Sequence, residues 1–139
     1  MSKLFDLHNK NVLLTGASKG MGLAMAQGLV NHGANVVISS RKLDQCQKAV
    51  DTINESVKQE KAFAFSCNAS SKDELNALVD FSISKLGSIT TLVCNAGVNS
   101  FFGSMSEIDD ESYDKTMNTN VKSNHCLLYT SPSPRDSRV

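Results

Sequence analysis

The chain has 139 residues, 14 Lys and Arg against 14 Asp and Glu, 40% hydrophobic residues, no Trp and two Pro. That composition describes one globular domain and excludes a collagen-like, disordered or membrane-spanning chain. With a formal net charge of 0 there is no broad basic field for nucleic acid, and recognition falls to local groups.

The apolar runs fall far short of the ~18 residues that span a bilayer. The opening MSKLFDLHNK lacks the apolar stretch of an export signal, so the expectation is a cytoplasmic protein with neither a nucleic-acid nor a membrane partner. Cys46, Cys67, Cys94 and Cys126 form no Cys-x-x-Cys pair, and only His125 stands beside one of them. They read as reduced, buried thiols, with no metal site.

Extended and helical patterns alternate from the start, as in a parallel sheet with crossover helices. Asn11 to Thr15 (NVLLT) is an apolar run ending in a glycine turn, the mark of a strand buried on both faces. From Gly20, residues Met21, Met25 and Leu29, with Ala26 and Val30, recur at i+4 spacing and predict the first helix, with Gly33 just past its end. Asn35 to Ser40 (NVVISS) reads as the second strand. Leu43, Cys46, Ala49, Val50, Ile53 and Val57 keep a period near 3.6 on a second helix.

Ala62 to Ser66 (AFAFS) is the third strand. Ser71 with Glu74 three residues on is a capping box, opening a helix of Leu75, Leu78, Val79, Phe81 and Leu86 that ends at Gly87. Thr91 to Cys94 (TLVC) is the fourth strand. Beyond a Gly, Ser and Phe-rich loop, the acidic residues Glu107, Asp109, Asp110 and Glu111 suit a helix N-terminus, and Tyr113, Met117 and Val121 form the stripe of a last helix reaching about residue 124.

The tail differs in kind. Pro132 and Pro134 end any helix, and the eleven residues Cys126 to Asp136 (CLLYTSPSPRD) match the translation of a transposase-based sequencing-library adapter. Residues 1–125 therefore read as the domain, cut inside its last helix, and residues 126–139 as a non-native or disordered tail.

Thr15-Gly-Ala-Ser-Lys-Gly-Met-Gly22 lies between the first strand and the first helix, where a glycine turn lays a pyrophosphate on a helix N-terminus. Gly16 allows the turn, Gly20 lets backbone approach phosphate, and Gly22 lets helix pack on strand. At the end of the second strand an NAD site usually places Asp or Glu on the ribose 2′-hydroxyl. Here stand Ser39, Ser40 and Arg41, and Arg41 can grip a 2′-phosphate, with Lys19 as a second cation at the dinucleotide. The cofactor expected is NADP(H).

The two motifs TGASKGMG and Cys94-Asn-Ala-Gly97 resemble the TGxxxGxG and NNAG motifs of the classical short-chain dehydrogenases/reductases, and the resemblance covers about residues 6 to 124. It implies a Rossmann-like, doubly wound α/β fold with a parallel sheet, of which this chain carries the N-terminal half, about four strands and four helices. By the same resemblance Asn95, Ala96 and Gly97 line the adenine-ribose side and steady the central strand. Ser18 and Met21 contact the phosphates, and Asn68 lies near the adenine. Asn120 matches the helix Asn that supports a water in the proton relay, with Asn118 close enough to compete for the alignment. Cys94 replaces the first Asn of the motif, Asn68 stands where Asp is usual, and Thr90 replaces an Asp common before the fourth strand.

The family's reaction needs a Tyr as acid/base and a Lys four residues later, with a Ser to orient the carbonyl. Tyr113 is followed at that distance by Met117 and Tyr129 by Ser133. The resemblance thus implies an NADP-dependent oxidoreductase that moves hydride between the nicotinamide and a small-molecule carbonyl or secondary alcohol. It is close to 3-oxoacyl-thioester reductases and carbonyl or sugar-alcohol dehydrogenases, and its intact parent is expected to be a homo-oligomer. This chain, lacking the Ser and Tyr-x-x-x-Lys part, is expected to be inactive alone. The alternative is a non-catalytic NADP(H)-binding regulatory module; an NAD-type epimerase is disfavoured by Arg41.

Overall fold

Strand β1 (Asn11–Thr15) buries Val12, Leu13 and Leu14 to within 1% of full burial, as an unbroken apolar run demands when helices cover both sides of a sheet. A computed structural model describes residues 3–130. In it β1 pairs in parallel with β2 (Asn35–Ser40) and β4 (Thr91–Val93), and β2 with β3 (Ala62–Ser66), giving one sheet in the order β3-β2-β1-β4. Leu13 is in register with Val37 on one side and Leu92 on the other. At the amino ends, Thr90 Oγ1 accepts from Asn11 N at 2.8 Å, and Asn35 Nδ2 donates to Asn11 Oδ1 at 3.1 Å.

The period-2 alternation of strands sorts the side chains into two cores. Val12, Leu14, Val36 and Ile38 meet Ala26, Val30, Ala49, Val50 and Ile53 from helices α1 (Gly20–Asn31) and α2 (Leu43–Val57). Leu13 and Val37 face the other way, onto Leu75, Leu78 and Val79 of α3 (Lys72–Leu86), with Leu127 of a later helix in the same cluster. The expected doubly wound α/β arrangement is therefore present, with helices on both faces.

Two expectations about helices are corrected, one of packing in α1 and one of extent in the last helix. In α1 the expected apolar positions divide: Ala26 and Val30 are buried, together with Gly22, and Leu29 packs partly buried on the same core, whereas Met21 is 79% exposed and Met25 is exposed as well. Close approach to the sheet selects the small residues, and hydrophobicity alone favours the large ones. The last helix is not one regular helix ending near residue 124. It comprises α4 (Asp110–Met117), a π-turn (Asn118–Lys122) and α5 (Ser123–Thr130). Its buried positions are Thr119, Ser123 and Leu127, whereas Tyr113, Met117 and Val121 lie exposed on the opposite side. Hydroxyl bonds close the buried side: Thr119 Oγ1 with Ser70 Oγ at 2.9 Å, and Ser123 Oγ with the Thr119 carbonyl.

Strand β4 ends at Val93, one residue before the expected Cys94. Helix α5 carries Cys126 to Thr130, with Leu127 fully buried; Pro132, Pro134 and the rest of residues 131–139 lie outside the described residues. Among the described residues no helix is long and apolar enough to cross a membrane.

Candidate functional site

All four strands point their carboxyl ends the same way, and the loops leaving them enclose a cavity of about 560 Å³. In open parallel sheets this is where ligands bind. Each of the twelve cofactor-binding residues expected from the sequence lines it: Gly16, Ser18, Lys19, Gly20, Met21, Gly22, Ser40, Arg41, Asn68, Asn95, Ala96 and Gly97.

The β1–α1 turn forms the floor. Gly16 and Gly20 have φ of +65° and +60°, the left-handed region that favours glycine. Lys19 precedes α1 in extended conformation, and no side chain caps the helix. The first-turn N–H groups, which have no intrahelical acceptor, are left to the cavity, and with the helix dipole they favour an anion there.

Thr15 locks this turn to the loop after β4. Its buried hydroxyl accepts from Asn95 N and Ala96 N, both at 3.1 Å, and Asn95 Nδ2 donates to Gly16 O at 2.9 Å. The contact leaves no room for side chains: a Cβ on Gly16 would lie 2.8 Å from Ala96 Cα, and one on Gly22 would lie 2.5 Å from Gly16 O. Asn95 thus ties the loop after β4 to the β1–α1 turn through both its backbone and its side chain.

At the end of β2, Ser40 Oγ sits 3.0 Å from Cys46 Sγ and accepts from Lys42 N at 3.4 Å, while Ser66 Oγ donates to Arg41 O at 3.1 Å. These bonds hold the backbone of the turn and leave the Arg41 guanidinium exposed. After β3, Asn68 Oδ1 accepts from Ser70 N at 3.0 Å. Ser71 Oγ accepts from Glu74 N, but Glu74 returns its carboxylate to Asn68 N at 3.3 Å rather than to Ser71, so the capping box closes on the preceding turn. Burial, with the nearby Glu74 charge, pushes the Cys67 thiol up to about 12, which makes it a packing residue and not a nucleophile.

Asn120 stands apart from the cavity lining. Both of its side-chain polar atoms go to one residue: Oδ1 accepts from Val98 N at 2.7 Å and Nδ2 donates to Val98 O at 2.8 Å. It fastens the π-turn to the loop carrying Asn95 to Gly97, and its own carbonyl accepts from Asn124 Nδ2 at 3.0 Å.

The cavity also takes in residues that sequence reasoning did not assign to the site, among them Lys42, Gln45, Lys115 and Thr119. Lys42 and Gln45 follow Arg41 closely enough to be found from the strand end. Lys115 and Thr119 enter through the packing of α4 and the π-turn beside Ser70, which no local pattern announces.

A family model described as short chain dehydrogenase matches residues 10–130. A dehydrogenase/reductase SDR family member 4 of Caenorhabditis elegans is 40% identical over 116 residues, 81% of this chain and 43% of that protein. The chain therefore spans less than half the length of this relative. The 3-ketoacyl-(acyl-carrier-protein) reductase of Brucella melitensis, solved with NADH, superposes with a TM-score of 0.83 at 27% identity, covering 89% of this chain and 49% of that one. The L-sorbose reductase of Gluconobacter frateurii, solved with NADPH and L-sorbose, has a TM-score of 0.85 at 24% identity, covering 91% and 48%.

Proposed function

The chain belongs to the short-chain dehydrogenase/reductase family, and from that premise we propose that it is the coenzyme-binding half of an NADP(H)-dependent oxidoreductase acting on a small-molecule carbonyl or secondary alcohol. The observation that carries this reading is the uncapped N-terminus of α1 opening into a cavity whose β2 end bears Ser40, Arg41 and Lys42 and no acidic residue.

The residues suit a dinucleotide. The backbone of Ser18 to Gly22 would hold the pyrophosphate. The guanidinium of Arg41 offers a 2′-phosphate a forked, charge-assisted contact, and Lys19 adds a second cation. Asn68 and Ala69 border the part of the cavity where a base would lie, and Asn95 to Gly97 the part nearest the sheet. A nicotinamide held in such a site supplies or accepts the hydride of the reaction. The protein's part in this half is to bind, to orient and to keep the β4 loop in place through Thr15 and Asn120.

The proton of a carbonyl reduction needs an acid/base, and among the described residues no Tyr, His, Asp or Glu lines the cavity. Tyr113 lies exposed on α4 and does not line the cavity. The residues 1–139 alone are thus proposed to bind coenzyme without turning over ketones or 3-oxoacyl thioesters.

The test is to titrate the chain with NADPH and with NADH, following fluorescence of the reduced nicotinamide. NADPH is expected to bind more tightly, and Arg41→Ala to weaken NADPH by about tenfold while leaving NADH unchanged. Equal affinity for the two coenzymes in the wild-type chain, or an Arg41→Ala variant that keeps the preference, overturns the NADP(H) assignment.

A further inference from the structure

Fourteen cationic and fourteen anionic residues give the whole chain no net charge, yet the cavity is lined by Lys19, Arg41, Lys42 and Lys115 and by no Asp or Glu. None of these four is in an ion pair; among the described residues, the only such pair is Asp6 with His8. Three of the four stand at the amino ends of α1 and α2, on the face of the sheet those helices cover. Lys115 is different. It lies on α4, whose continuation α5 is packed on α3 and buries Leu127 in the opposite core. One turn beyond Lys115, Thr119 also lines the cavity and is bonded to Ser70, so this wall is tied to the loop that carries Asn68.

From this placement we propose that Lys115 is a further coenzyme-binding residue, holding the part of the dinucleotide common to NADPH and NADH from the wall opposite Arg41. The inference rests on the dinucleotide reading of the cavity. Its chemistry differs from that of Arg41. A cation beside the 2′-phosphate discriminates between the coenzymes, whereas one touching the shared part strengthens both alike. A cation that acts only through its long-range field gives a third pattern: it favours NADPH, which carries about two more negative charges, and the effect fades once salt shortens the screening length to a few ångströms.

The experiment compares the wild-type chain with Lys115→Gln and Lys115→Arg by titration with NADPH and with NADH, at about 0.15 M and about 1 M salt. The Lys115 side chain is exposed and, among the described residues, makes no ion pair, while its backbone carbonyl accepts from Asn118 N in the helix, and circular dichroism checks that the variants keep the wild-type helix content. The expected result is a three- to fivefold rise in Kd for Lys115→Gln, roughly equal for the two coenzymes, as an exposed charge contact gives. A difference from wild type persists at high salt, and Lys115→Arg is restored to within about twofold. Unchanged affinities, a loss confined to NADPH, or a loss that disappears at high salt each overturn the contact. Failure of the wild-type chain to bind either coenzyme removes the dinucleotide reading itself and the role of Lys115 with it, an outcome distinct from the other three.

Discussion

Gly22 is the tightest junction between α1 and the strand ends, and adding one methyl group there tests whether the site is built as the structure describes. A Cβ would lie 2.5 Å from Gly16 O, 2.6 Å from Asn95 Nδ2 and 2.8 Å from Ala17 Cα. Two of these three neighbours are backbone atoms, which cannot rotate away, so either α1 lifts from the sheet or the Asn95–Gly16 hydrogen bond opens. Overpacking of this kind costs about 2 kcal/mol and the broken bond about 1 kcal/mol more. At roughly 3 °C per kcal/mol for a chain of this size, Gly22→Ala should melt about 10 °C below the wild type. Two neighbouring glycines serve as controls. Gly20 has φ of +60° but nothing within 4 Å of its Cβ position, so Gly20→Ala carries only left-handed strain, about 1 kcal/mol. Gly28 lies inside α1 with the same open space, and Gly28→Ala should gain about 0.5–1 kcal/mol from helix propensity. Thermal melts followed by far-UV circular dichroism then rank Gly28→Ala above wild type, followed by Gly20→Ala and last Gly22→Ala. A Gly22→Ala variant that melts with Gly20→Ala would show that α1 and the β4 loop have slack between them, and the close-contact account of the motif would be wrong.

Thr15→Val keeps the shape of the buried side chain but strips the acceptor from Asn95 N and Ala96 N, and should destabilise by about 2–3 kcal/mol in urea unfolding; Thr15→Ser, which keeps the hydroxyl, should recover most of that, and an equal loss in both variants would refute the hydrogen-bond explanation. Cys67, whose thiol rises from an ordinary 9.0 to about 12, keeps its proton in the folded chain where the unfolded chain releases it. Its contribution is therefore whole below about pH 9 and is lost as pH rises toward 12. Urea unfolding across that range should show a steeper decline with pH for the wild type than for Cys67→Ala, and parallel curves would contradict the burial of this thiol.

The strands and the cavity at their carboxyl ends were legible because their signals are local. A five-residue apolar run such as Asn11 to Thr15 has one way to be satisfied, burial on both faces, and the glycine turn behind it fixes which end of the sheet carries the ligand. Gly16, Gly20 and Gly22 announce themselves since a positive φ at the first two and a 2.5 Å backbone approach at the third favour glycine there. Arg41 was legible for the same reason: it is adjacent in sequence to a strand end whose position was already fixed.

What was not legible depends on which partner a helix meets. Tyr113, Met117 and Val121 form an i, i+4, i+8 apolar stripe, and periodicity shows that these residues share a helix face without saying what that face meets. In the structure it faces outward, and Thr119, Ser123 and Leu127 face in. The inward face carries only one large apolar residue because its other contacts are hydrogen bonds at close range: Thr119 to Ser70, and the two bonds from Asn120, at the edge of the same face, to the Val98 backbone. Bonds between residues twenty-two and forty-nine positions apart leave no trace in a hydropathy pattern. The same tertiary docking brings Lys115 to the cavity, so the polar inward face and the overlooked cation have one origin. A reading of α4 that places Thr119 inward, one turn after Lys115, also places Lys115 at the ligand's side of the helix. The role proposed for Lys115 and the inward orientation of Thr119 therefore stand on the same rotation of α4.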